Sequence, residues 1–186
     1  HLDVADGIFT FNKTWNNPKK WQELNLGLNL EVHLMVEEPE EVVEDWLKAK
    51  AKRIIFHWEA VKLKNNPEEI VLKILNLCSK YGAQAMLSIC METPLEEIKN
   101  VLDKFKYFQI LAVYPGPSGQ KFLPEALPKI KFLKNLKPEA IIEVDGGINP
   151  EVLLKIKPAG ADIAVSGSYI FNNADYKKAF ARLVNI

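Results

Sequence analysis

Four side chains in this sequence have the types and spacing to hold a cation and move a proton: His1, Asp3, His33 and Asp145. In His1-Leu2-Asp3-Val4-Ala5-Asp6-Gly7, strand alternation puts His1 and Asp3 on one face and Leu2 and Val4 on the other. In Leu30-Glu31-Val32-His33-Leu34-Met35-Val36 a histidine interrupts an apolar run near its carboxyl end, where a lone imidazole more often serves the core than a ligand. In Ile142-Glu143-Val144-Asp145-Gly146-Gly147-Ile148-Asn149-Pro150 an acid ends a buried-strand pattern and two glycines let the chain turn sharply, although Asp-Gly-Gly alone also fits an ordinary turn. Together these are two imidazoles and two carboxylates from three strands. Such a set suits a borderline divalent metal ion (Zn, Mn, Fe or Co). A metal of this kind is a Lewis acid toward a carbonyl or hydroxyl oxygen and stabilises the enediolate left when a proton departs from the adjacent carbon. Asp3 and Asp145 are the natural proton carriers: one takes the proton from one face, the other returns it to the opposite face, and a stereocentre inverts. Asp6, in Asp6-Gly7, reads as a turn residue.

Two later segments suit an anion. Tyr114-Pro115-Gly116-Pro117-Ser118-Gly119-Gln120-Lys121-Phe122 is a loop punctuated by glycine and proline, able to close over a ligand or simply to join a strand to a helix. Val165-Ser166-Gly167-Ser168-Tyr169-Ile170-Phe171 places small residues where a last strand passes into a helix, a common phosphate position in barrels. Gly146, Gly147, Gly167 and Ser168 are the expected donors.

These residues need strands to carry them. Short apolar runs at Leu2–Val4, Leu30–Val36, Arg53–Trp58, Gln84–Ile89, Phe108–Val113, Ile141–Val144 and Ile163–Val165 alternate with helical patterns. The helices are expected at Pro18–Leu24, Pro39–Lys48, Pro67–Tyr81, Pro94–Phe105, Pro124–Leu136, Pro150–Ile156 and Asp175–Val184. Pro39-Glu40, Pro67-Glu68 and Pro150-Glu151 are sound helix starts, because the first position needs no N–H and the dipole favours an acid. The pattern is α/β, a TIM (βα) barrel with seven units where eight close the ring, the deficit lying at the amino end. One domain over residues 1–186 is expected, with two unpaired strand edges that favour a homo-oligomer.

The 186 residues are 48% hydrophobic with a formal net charge of zero, enough for a sizeable core. Charge balance argues against nucleic acid, and no apolar run reaches the roughly 18 residues of a membrane span. Cys78 and Cys90 lack ligand spacing and read as reduced thiols, which points to the cytoplasm.

The motifs His1-Leu2-Asp3-Val4-Ala5-Asp6-Gly7, Val32-His33-Leu34-Met35-Val36, Pro115-Gly116 with Gly119-Gln120-Lys121-Phe122, Glu143-Val144-Asp145-Gly146-Gly147-Ile148 and Gly167-Ser168-Tyr169-Ile170-Phe171 occur in this order. Together they resemble the ribulose-phosphate 3-epimerase family over essentially the whole chain. The resemblance implies a TIM barrel and a divalent metal on His1, Asp3, His33 and Asp145. It also implies interconversion of D-ribulose 5-phosphate and D-xylulose 5-phosphate in the pentose phosphate pathway, with Asp3 and Asp145 as acid and base. Gly116, Gly119, Gly146, Gly147, Gly167 and Ser168 would contact the substrate and its phosphate, and Met35 would line the pocket. Departures from the family pattern are Ala5 and Leu111 where it usually has methionine, Tyr114 in place of asparagine, and Pro117-Ser118 in place of Phe-Gly. They leave open a six-carbon ketose phosphate as substrate, and loss of the first unit leaves open a catalytically impaired barrel acting as a binding or assembly module. A barrel decarboxylase or aldolase of a sugar phosphate would call for Asp-x-Lys-x-x-Asp at the first of these strands, where this chain has His-x-Asp.

Overall fold

The computed structural model describes residues 1–186. Seven strands follow one another in chain order: β1 (Leu2–Ala5), β2 (Glu31–Met35), β3 (Arg53–His57), β4 (Gln84–Ile89), β5 (Tyr107–Leu111), β6 (Ile141–Asp145) and β7 (Ile163–Val165). Helices alternate with them: α1 (Pro18–Leu24), α2 (Pro39–Lys48), α3 (Trp58–Val61), α4 (Pro67–Lys80), α5 (Ala126–Leu136), α6 (Pro150–Ala159), α7 (Ser168–Phe171) and α8 (Tyr176–Val184). This is the βα repeat of the TIM-barrel class. No helix is long and apolar enough to cross a membrane.

The chain divides into two compact units, His1–Ser88 with Ile98–Phe105 and Ile89–Glu97 with Lys106–Ile186. In the first, β1, β2, β3 and β4 pair in parallel, with Asp3 opposite His33 and His33 opposite Ile55. Val4, Val32, Leu34, Ile54, Ile55 and Phe56 have no exposure, as parallel strands covered on both faces require. Phe56 meets Phe105 at a ring-centroid distance of 5.9 Å, an aromatic pair of the kind that adds roughly 1 kcal/mol beyond its buried area. In the second unit β5, β6 and β7 pair in parallel over Phe108, Ile110, Ile142 and Val144. Both cysteines are buried and neither is in a disulfide, and burial pushes the Cys78 thiol up to about 12.

Proline and cap residues set the helix starts. Asn17 accepts from the Lys20 N–H ahead of α1, Asn149 from the Val152 N–H ahead of α6 and Asp175 from the Lys178 N–H ahead of α8. Helix α3 was not expected, α5 begins at Ala126 rather than Pro124, and two further elements differ from expectation. The segment Pro94–Phe105 forms two 3-10 turns, Leu95–Ile98 and Leu102–Lys104, rather than an α-helix. Its backbone bonds close over three residues, with the Glu97 N–H donating to the Pro94 carbonyl, Val101 to Ile98 and Lys104 to Val101. Helix α6 runs past Ile156 to Ala159 and includes Pro158, whose missing N–H is tolerated in the last turn. Left-handed Gly160 then ends it, with the Ala161 N–H donating to the Ile156 carbonyl at 3.1 Å.

Candidate metal centre and catalytic site

Three of the four sequence-predicted ligands meet in the first unit. The register of β1 against β2 sets Asp3 beside His33, and alternation along β1 brings His1 to the same face. His1 Nε2 lies 3.3 Å from Asp3 Oδ1, and His33 Nδ1 lies 3.0 Å from the same oxygen. His33 is fully buried, while the Asp3 carboxylate is 48% exposed and open to a ligand.

The far side of each imidazole is braced. His1 Nδ1–H donates to Glu31 Oε1 at 2.7 Å, and Glu31 Oε2 accepts from Arg53 Nη1 at 2.5 Å. Arg53 donates in turn to Gln84 Oε1 from Nε at 3.0 Å and from Nη2 at 2.8 Å. On the other side, His33 Nε2 lies 2.8 Å from His57 Nε2, and His57 Nδ1 lies 3.3 Å from Glu59 Oε2. A continuous polar chain therefore runs from Gln84 through Arg53, Glu31, His1, Asp3, His33 and His57 to Glu59. Burial alone would raise the Asp3 carboxyl, but hydrogen bonds and charge from His1 and His33 outweigh it and hold the group far below the usual carboxylate range. Burial likewise opposes ionisation of Glu31, yet His1 and Arg53 bring it down to about 2. Asp3 is thus an anion facing two imidazoles.

Sequence reading missed the bracing residues Glu31, Arg53, His57 and Glu59. His57 ends the strand after the one bearing His33, and His57-Trp58-Glu59 could have been read as a second imidazole–carboxylate pair beside the first.

The second unit carries the remaining candidates. Asp145 ends β6 half-buried, opposite Leu111 and Val165, and its carbonyl accepts from the Ala112 N–H at 2.7 Å. Gly146 and Gly147 follow with φ of 113° and 68°, the left-handed side that glycine adopts without strain. A Cβ on Gly147 would lie 2.2 Å from the Phe122 nitrogen, so this turn and the end of the Tyr114–Phe122 loop touch backbone to backbone. Within that loop Gly116 and Gly119 also have positive φ, and Gln120 Nε2 donates to the Tyr114 carbonyl at 2.7 Å and the Pro117 carbonyl at 3.0 Å. Ser166 Oγ donates to the Ile148 carbonyl at 3.0 Å, which ties the approach to Gly167 and Ser168 to the same turn. Glycine-rich backbone from three segments is therefore gathered at the carboxyl ends of β5, β6 and β7. Met35 ends β2 in the first unit and is buried, opposite Ala5.

The donor set fits a divalent cation. Two imidazole nitrogens face one carboxylate oxygen, and each ring's other nitrogen is engaged elsewhere, which is the arrangement metal-ligating histidines show.

Parallel βα units with acids and imidazoles at strand ends define an enzyme of the TIM-barrel class. The chain belongs to the ribulose-phosphate 3 epimerase family, whose model matches residues 1–171, and is an isomerase. It is 36% identical over 179 residues to the ribulose-phosphate 3-epimerase of Chlamydia pneumoniae, covering 92% of this chain and 75% of that protein. To the enzyme of the same name from Bacillus subtilis it is 34% identical over 190 residues, 98% of this chain and 84% of that one. Among solved structures, 3-keto-L-gulonate-6-phosphate decarboxylase from Vibrio cholerae superposes with a TM-score of 0.67 at 13% identity, over 99% of this chain and 83% of that one. At that identity the likeness concerns the fold.

Proposed function

We propose that this chain interconverts D-ribulose 5-phosphate and D-xylulose 5-phosphate at carbon 3, with a divalent metal held by His1, Asp3, His33 and Asp145. The observation that carries the reading is the convergence of His1 and His33 on Asp3 Oδ1, at 3.3 and 3.0 Å, in a chain of the epimerase family. When bound, the ion supplies positive charge beside the ketose oxygens, which stabilises an enediolate.

The chain's own residues do the rest. Asp3 and Asp145 serve as the two proton carriers; one removes the proton from carbon 3 and the other delivers a proton to the far face, which inverts the centre. Depression of the Asp3 carboxyl well below neutral pH keeps it an anion, the form that binds a cation. His1 and His33 orient Asp3. The backbone N–H groups around Gly119, Gly146, Gly147, Gly167 and Ser168 hold the phosphate, and Gly116 and Met35 line the sugar. Distance between phosphate and carbon 3 then fixes which carbon meets the acids. The buried thiols Cys78 and Cys90 suit the reducing cytoplasm.

Removing metal with a chelator is expected to lower turnover of ribulose 5-phosphate by about 100-fold or more, the equivalent of several kcal/mol of charge stabilisation. Adding back zinc, manganese, iron or cobalt should restore it. Unchanged turnover in protein shown by elemental analysis to be metal-free would contradict the metal assignment.

A further inference from the structure

We infer that Lys129 is a positioning residue for the sugar-phosphate loop: its ammonium is a built-in cation around which residues 90–93 fold, and it fastens them to the start of α5, just after the loop 114–122. The consequence for the reaction rests on the function proposed above, in which this loop meets the sugar phosphate.

Three carbonyl oxygens from four consecutive residues converge on one nitrogen. Lys129 Nζ donates to the Cys90 carbonyl at 2.5 Å, to the Met91 carbonyl at 3.1 Å and to the Thr93 carbonyl at 2.6 Å. An ammonium carries three N–H donors on a compact charge, which suits acceptors closing in on a point better than the flat fork of a guanidinium would. Cys90 and Thr93 are buried, and the Thr93 N–H donates to the Cys90 carbonyl at 3.3 Å, so the segment is a tight turn with these carbonyls aimed at Lys129. Without the cation those oxygens would be left short of donors, which is costly for buried acceptors.

The helix alone disfavours a cation at this position. Lys129 is the fourth residue of α5, no acid stands in the first turn, and the dipole is positive at this end. The three carbonyls offset that. From the start of α5 a run of backbone bonds leads back to the loop: the Leu127 N–H donates to the Pro124 carbonyl at 3.0 Å, Ala126 to Leu123 at 3.0 Å, and Leu123 to Ala112 at 2.9 Å. Phe122, next in line, is the residue whose backbone lies against Gly147. The base of the loop is therefore fixed twice, at Phe122 by Gly147 and, through the turn into α5, by Lys129.

Lys129→Met keeps most of the side chain's length and removes the charge, while Lys129→Ala opens the cage. In the metal-loaded chain both are expected to lower kcat/KM for ribulose 5-phosphate about 10- to 100-fold, the effect of a small misplacement remote from the chemistry. Most of the loss should be a raised KM, since the loop holds the sugar and carries no proton. n-Propylammonium supplies the atoms that Lys129→Ala lacks. It should restore that variant and leave wild type and Lys129→Met unchanged, whereas uncharged n-propanol should restore nothing. Amide exchange without substrate gives a second reading: the Thr93 and Ala126 N–H groups should exchange faster in Lys129→Ala and slow again with n-propylammonium. Wild-type kcat/KM in Lys129→Met, equal recovery by n-propanol, or unchanged exchange at Thr93 would overturn the inference. A wild-type chain that does not turn over ribulose 5-phosphate would instead overturn the proposed function, and the exchange measurement would still decide whether Lys129 holds the segment.

Discussion

Asp145→Asn is expected to lower turnover of ribulose 5-phosphate by about 10²- to 10⁴-fold, the contribution of a positioned acid–base group, and by more if the metal is lost as well. The amide has the carboxylate's shape but neither accepts the proton nor matches its charge. Asp145 is half-buried at the end of β6, and the β6 pairing that positions it uses backbone, which the change leaves alone. Unfolding free energy should therefore stay within about 1 kcal/mol of wild type. Steady-state turnover with a urea melt on the same sample separates the two effects. Activity within a few-fold of wild type would remove Asp145 from the reaction.

Gly147→Ala is expected to destabilise the chain by about 3 kcal/mol, combining a left-handed backbone that alanine resists with a steric overlap. The added Cβ would sit 2.2 Å from the Phe122 nitrogen and 2.7 Å from its Cα, both backbone atoms that cannot swing away. Gly146 offers the control. Its Cβ would meet the Val113 side chain first, at 2.6 Å, and a side chain yields more readily than backbone, although a branched valine must shift rather than rotate away. Gly146→Ala should thus cost less, although its φ of 113° carries strain of its own. Because Gly147 and the Tyr114–Phe122 loop end touch, Gly147→Ala should also raise the KM for the sugar phosphate. A urea midpoint equal to wild type would show that the loop is free to move off the turn.

Much of this arrangement was legible in the residues, and the reasons are specific. Alternation alone placed His1 and Asp3 on one face of β1, and their side chains do meet. The apolar runs located all seven strands, with Phe108–Val113 shifting to Tyr107–Leu111 because periodicity fixes a strand's core better than its ends. The Pro94–Phe105 segment was misread since Glu96, Glu97 and Ile98 suit an α-helix by propensity and its buried residues fit a helical period, whereas the backbone bonds close over three residues. The braces on His1 and His33 were legible only in part: His57 and Glu59 stand out as an imidazole and an acid two residues apart, but their contact with His33 does not. The contacts depend on which residue of β3 lies beside β2 and on ring rotation, and neither is a property of one strand's pattern. The apposition of Gly147 and Phe122 was hidden for the same reason: two loops far apart in sequence meet through their backbones.

Solvent deuterium exchange measures the central claim most directly. Metal-loaded protein incubated with D-ribulose 5-phosphate in heavy water should produce D-xylulose 5-phosphate and place deuterium at carbon 3 of the sugar, since a proton taken by one aspartate is replaced from solvent through the other. A protein that holds both the metal and the sugar phosphate, yet forms no xylulose 5-phosphate and incorporates no deuterium at carbon 3, would contradict the account.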